Sequence, residues 1–103
     1  MPHNRSFERE REEAMRSTVE DWPGYFLTIR CRSRFCPLRH VPMDRFRESW
    51  GDMRLAIFLD RLRCHLCRQP LAEATMRRPA EPGRISPGDM LLRLRGLDAG
   101  GRR

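Results

Sequence analysis

The sequence contains no lysine: all 21 of its basic residues are arginine. It also lacks a long apolar run. The longest, Leu55 to Leu59, falls far short of the roughly 20 residues that span a bilayer as a helix. The N-terminus is charged and has no apolar segment of signal-peptide type, so the expectation is a soluble, cytoplasmic protein with no membrane partner. Without a secretion signal, a disulfide framework is disfavoured. At 103 residues the chain is too short for a large multi-domain enzyme with its own cofactor fold. Paired carboxylates at useful spacing are missing, and so is a nucleophile beside a base. Glu12 and Glu13 sit on a charged segment where solvated side chains are the norm. The chain is therefore expected not to be an enzyme, and no catalytic residue is assigned.

What is present is charge, and it is unevenly placed. The formal net charge is +7. Residues 1–23 carry −2, residues 24–79 carry +7 and residues 80–103 carry +2. The middle segment also holds all four cysteines and six of the eight aromatic residues. A coding bias explains arginine in place of lysine; it does not explain the crowding of positive charge into the middle.

The pattern divides the chain in three. Residues 1–23 read as a helical arm, with Ser6 as N-cap and a thin apolar stripe of Phe7, Ala14, Met15, Val19 and Trp22. Pro23-Gly24 ends it. From Tyr25 the period becomes two: Tyr25, Leu27, Ile29 and Cys31 point one way, which predicts a half-buried strand that delivers Cys31 at its end. A shorter extended piece follows over Leu38 to Met43, kept at a sheet edge by Pro42. Asp44 is expected to cap a helix through Trp50. Gly51-Asp52 is expected to recap a second helix, with Leu55, Phe58, Leu59 and Leu62 on its apolar face. Leu71 to Arg77 reads as a last strand with Ala72, Ala74 and Met76 inward. Residues 79–103, rich in Pro and Gly, read as a linker and tail bearing a short apolar patch from Met90 to Leu94.

The cysteines are spaced Cys31-x4-Cys36, then 27 residues, then Cys64-x2-Cys67. Two short turns that each present a pair of sulfurs are what a tetrahedral metal site needs. Soft thiolates favour zinc, and four of them leave no open position for chemistry. A haem-attachment motif would have His where Arg68 stands, and a zinc deaminase would need an upstream His-x-Glu. His40 and His65 stay open as substitutes for one sulfur. A segment of about 55 residues buries little apolar surface, which favours a structural metal.

The run Leu59-Asp60-Arg61-Leu62-Arg63-Cys64-His65-Leu66-Cys67 is the most specific piece of a wider likeness. With Ile29-Arg30-Cys31, Leu38 to Met43 and Gly51-Asp52-Met53, it resembles a group of small uncharacterised bacterial, mainly alphaproteobacterial, zinc-ribbon-like proteins. The likeness covers about residues 24–77. This chain departs from it in the four-residue spacing of the first knuckle and in Arg68, where glycine is usual. The resemblance implies structural Zn²⁺ and no known reaction. The expected fold is a small α+β domain, zinc-ribbon-like or treble-clef-like, over residues 24–78. Short strands and two short helices would surround the four-cysteine site, with a helical arm before it and a flexible tail after it.

Arg30, Arg32, Arg34 and Arg39 flank the first cysteine pair; Arg61, Arg63 and Arg68 flank the second. If the pairs meet, these residues form a basic collar suited to phosphate backbones, with Phe35 and Tyr25 available for base stacking. Part of the collar would offset the −2 of a tetrathiolate zinc site. Four thiolates and one divalent ion lower the formal charge by two, to +5. The leading expectation is a DNA or RNA binder. The alternative is a protein-interaction adaptor that uses the Phe7 to Trp22 arm or the Met90 to Leu94 tail.

Overall fold

Alternating apolar residues build a four-stranded antiparallel sheet in the order β2-β1-β3-β4. Its strands are β1 (Phe26–Cys31), β2 (Arg39–Pro42), β3 (Leu71–Arg78) and β4 (Met90–Arg95). The computed structural model describes residues 2–96, with side chains from Glu8 onward. The Phe7 side chain of the expected stripe and residues 97–103 of the expected tail lie outside the described residues. Pro42 sits on the edge strand β2, as its missing N–H requires. In β1, Leu27, Ile29 and Cys31 are buried on one face. Thr28 is buried on the other, where its Oγ1 shares a 2.8 Å hydrogen bond with His40 Nδ1 and accepts one from Arg77 Nε at 3.3 Å.

The inward set of β3 differs from the expected one. Leu27 pairs with Met76 and Ile29 with Ala74, but Cys31 pairs with Leu71. A bulge at this end skips Ala72 and reverses the alternation. Leu71 therefore joins Ala74 and Met76 in the core, and Ala72 is only half-buried. The bulge sets a bulky apolar side chain beside Cys31.

Three α-helices complete the α+β fold among the described residues: α1 (Pro2–Arg16), α2 (Arg47–Trp50) and α3 (Leu55–Arg61). Their boundaries correct three expected caps. Ser6 lies inside α1; α2 and α3 begin after residues that make no side-chain capping bond, so neither Asp44 nor Asp52 caps them. Leu55, Phe58 and Leu59 are fully buried under the sheet, with Phe46 and Trp50 edge-on to Phe58 at 4.9 and 5.4 Å. Leu62 follows the helix and is half-buried.

The arm is not held loosely. Its helix stops at Arg16, and Thr18 starts a 3-10 turn whose Asp21 carboxylate accepts the Thr18 N–H at 2.9 Å. Residues 17–20 then pair with 51–55: Val19 N–H donates to Met53 O at 3.0 Å, and Leu55 N–H to Ser17 O at 2.7 Å. Val19 is completely buried and Ala14 nearly so, which makes the arm part of the one core.

The Pro/Gly-rich segment is likewise more ordered than expected, because it is the loop of a β3–β4 hairpin. Asp89 organises it. Its carboxylate accepts the Ala80 N–H at 2.8 Å, the Ser86 N–H at 3.0 Å and the Ser86 hydroxyl at 2.9 Å. Arg77 donates to it at 3.1 Å. The Ala80 and Ser86 N–H groups above all hold the Asp89 carboxyl well below the usual carboxylate range. The expected tail patch is strand β4, with Leu94 buried and Met90 and Leu91 exposed on the sheet's outer edge. Asp52, in the matching Gly-Asp-Met tripeptide, is exposed and does no comparable work.

Candidate metal centre

Strand β1 carries Cys31 to the end of the sheet, and a tight turn brings Cys36 back to it. Ser33 shapes that turn. Its carbonyl accepts the Cys36 N–H at 3.2 Å and its hydroxyl the Phe35 N–H at 3.3 Å. The two extra residues of the four-residue spacing are taken up there.

The second knuckle grows from the end of α3. Arg63 donates to the Asp60 and Leu62 carbonyls, satisfying acceptors that a helix C-terminus leaves open. Cys64 then starts a turn closed by Arg68 N–H to Cys64 O at 2.8 Å and Cys64 N–H to Gln69 O at 3.4 Å. The turn needs a left-handed residue, and Arg68 supplies it with φ of 63°. Glycine would adopt that conformation without the clash that a Cβ brings.

The two knuckles bring Cys31, Cys36, Cys64 and Cys67 together. All four Sγ atoms lie within 4.8 Å of one another, and Cys36 Sγ and Cys64 Sγ are 3.9 Å apart. A thiolate–zinc length near 2.3 Å gives a tetrahedral edge of about 3.8 Å, so the cluster fits such an ion closely. None of the four is in a disulfide. Cys31 and Cys64 are buried, and Cys36 and Cys67 half-buried.

The thiols are not equivalent. Backbone N–H groups of Cys67 and Leu66 point at Cys64 Sγ, the latter from 3.3 Å, and pull that thiol down to about 6. Burial pushes the Cys31 thiol up to about 12, and the neighbouring sulfurs add to the rise. Burial also raises Cys36. Cys64 is thus held more readily as a thiolate than Cys31 or Cys36.

Neither histidine belongs to the cluster. His40 is engaged with Thr28 on the far face of the sheet. The His65 ring meets Arg39, with Nδ1 at 3.0 Å from one guanidinium nitrogen, so Arg39 ties the two knuckles together from outside.

The other flanking arginines divide. Arg30 pairs with Glu73 at 3.6 Å across β1 and β3. Arg63 is turned to the end of α3, while Arg61 and Arg68 are exposed. Arg32 and Arg34 are exposed on the first knuckle, and Arg34 lies 6.0 Å from the Phe35 ring centroid. Arg95 joins them in one cleft, held by the Asp60 carboxylate. Sequence spacing gave no pointer to Arg95, because only the pairing of β4 with β3 brings it to this end.

Comparison with protein-family models, curated proteins and solved structures found no match. Among the described residues, no helix is long and apolar enough to cross a membrane.

Proposed function

We propose that the chain is a non-catalytic module with a structural zinc ion, and that it binds nucleic acid through the arginines of its first knuckle. Four soft thiolates suit zinc and close its coordination sphere. Two knuckles that face each other at one end of an antiparallel sheet support the zinc-ribbon-like reading of residues 24–78. The nucleic-acid reading is carried by Arg32 and Arg34. Both are exposed, and neither has an ion-pair partner among the described residues. Exposed guanidinium groups without a carboxylate partner are ready to take phosphate oxygens in pairs.

The test is fluorescence anisotropy of labelled DNA and RNA with the metal-loaded chain over a salt series. The logarithm of affinity should fall linearly with the logarithm of salt concentration. Replacing Arg32 and Arg34 by Ala should flatten that slope by up to about two. Absence of binding to any DNA or RNA at low salt would overturn the reading.

A second reading, a protein adaptor, is favoured by the outer edge of β4. Met90 is 67% and Leu91 57% exposed beside an unpaired strand edge, a surface to which a partner strand can add. In the arm, Ala14 and Val19 are already in the core and are not free to meet a partner. Leu91→Arg should then remove a co-purifying partner and leave the metal content unchanged.

A further inference from the structure

We infer that the nucleic acid this chain takes is unpaired, with a phosphate in the arginine cleft and the neighbouring base stacked on Phe35. This inference rests on the nucleic-acid reading above and narrows it. Arg30, Arg32, Arg34 and Arg95 line a cleft of about 670 Å³, with Leu71 and Ala72 as an apolar wall. Glu73 holds Arg30 and Asp60 holds Arg95, so two guanidiniums are fixed in place with their charge offset. Arg32 and Arg34 have no carboxylate partner among the described residues; the other charge near them is the −2 of a zinc-loaded cysteine cluster, whose Cys31 lines the same cleft, and both arginines are exposed to solvent. An anion is the ligand that this arrangement accepts.

Phe35 supplies the second half. Its ring is 89% exposed, the most exposed of the chain's large hydrophobic side chains among the described residues. It does not hang on a loose loop. Ser33 binds its N–H, and the next residue, Cys36, is anchored in the sulfur cluster. A turn held in this way has little backbone freedom left to lose when the ring binds. Its immediate setting is cationic, with Arg34 beside it and Arg32 on the same turn. That setting suits a base attached to a phosphate better than an apolar protein anchor. In a duplex the base faces are already stacked on each other and out of reach, so a ring and a phosphate site that share Arg34 select an unpaired strand.

The experiment compares a twelve-nucleotide oligo(dT) with a duplex of the same length, using the full metal-loaded chain. The Phe35→Ala and Phe35→Trp variants are measured beside it. Position 35 is on the surface, so both variants should fold, and circular dichroism and metal content check this. The oligo(dT) should bind more tightly than the duplex. Phe35→Ala should weaken oligo(dT) binding about tenfold or more, the loss of one stacked base, and leave duplex binding unchanged. Phe35→Trp should keep the affinity, and its added fluorescence should be quenched on binding. If Phe35→Ala changes nothing, or weakens duplex and oligo(dT) alike, the inference falls while the arginine reading stands on its salt slope. If neither probe binds at low salt, the inference falls, and the arginine reading falls with it when RNA fails to bind as well. Loss of a bound protein partner in Phe35→Ala, with oligo(dT) affinity intact, would make the ring a protein anchor and overturn the inference.

Discussion

Where β1 ends and β3 begins, at Cys31 and Leu71, the sheet is closed by sulfur; where β3 ends and β4 begins, at Arg78 and Met90, it is closed by the carboxylate of Asp89. Both closures gather polar groups from residues far apart in sequence. They differ in what completes them. Asp89 finds two N–H groups, a hydroxyl and a guanidinium within the chain itself. The four thiols have one another and two backbone N–H groups aimed at Cys64, and three further negative charges added to the Cys64 thiolate would repel. On the zinc reading proposed above, the hairpin end is self-sufficient and the knuckle end depends on a cation from outside.

The largest test of this contrast is metal removal. Structural zinc in small domains contributes on the order of 10–16 kcal/mol at neutral pH, against total stabilities of about 5–15 kcal/mol. Chelation should abolish the cooperative thermal transition seen by circular dichroism, since β1 and β3 form the middle of the sheet and both meet the site. Hydrogen exchange would break the contrast if the amides around Cys31 and Leu71 kept their protection in the metal-free chain.

Acid should act at the same end. A bound metal holds the thiols ionised and so depresses their folded-state titration. The stability this confers is present above the unfolded thiol range and is lost as pH falls. Asp89 is depressed too, but from the carboxylate range, so its contribution survives to far lower pH. Metal release on acidification, followed with a chromophoric chelator, should finish well before Asp89 takes a proton. In the other direction, loading at pH 8 should release at least two protons per ion, from Cys31 and Cys36, whose thiols are raised.

The next effect belongs to neither end. Val19→Ala removes two methyl groups from a fully buried site and should cost about 2–3 kcal/mol in denaturant unfolding, with metal content unchanged. A loss below about 0.5 kcal/mol would return the arm to the status of a loose appendage.

The smallest is Arg68→Gly, which should stabilise the metal-loaded chain by about 1 kcal/mol by removing a side chain from a left-handed position. A destabilised variant would show that the Arg68 side chain does something at the knuckle that its conformation does not reveal.

Much of the centre was legible in the residues. The spacing of Cys31, Cys36, Cys64 and Cys67 pointed to a cluster, and the period-two run from Tyr25 pointed to the strand that carries Cys31. Strand Leu71–Arg78 and the edge position of Pro42 were legible for the same reason, since local alternation and a missing donor are properties of a few neighbouring residues. The inward place of Leu71 was not, because a bulge reverses parity and only the partner strand shows it. Nor was β4. Its loop holds several prolines and glycines, which signal a linker when read alone, and the order there comes from Asp89 meeting Arg77 across the hairpin. Val19 looked like part of a thin helical stripe, yet it is buried through pairing with residues 51–55, more than thirty positions away.

The sequence by itself determined the four-cysteine cluster, the excess of positive charge around it and the main strands. Spacing and period are local, and local rules suffice to read them. The tertiary structure decided that the arm and β4 belong to one core, and that both histidines are engaged away from the sulfurs. It also decided which arginines stand uncompensated: Glu73 reaches Arg30 and Asp60 reaches Arg95 only because the sheet and α3 bring distant residues into range. Charge can be counted along a chain, but its compensation depends on distance in space.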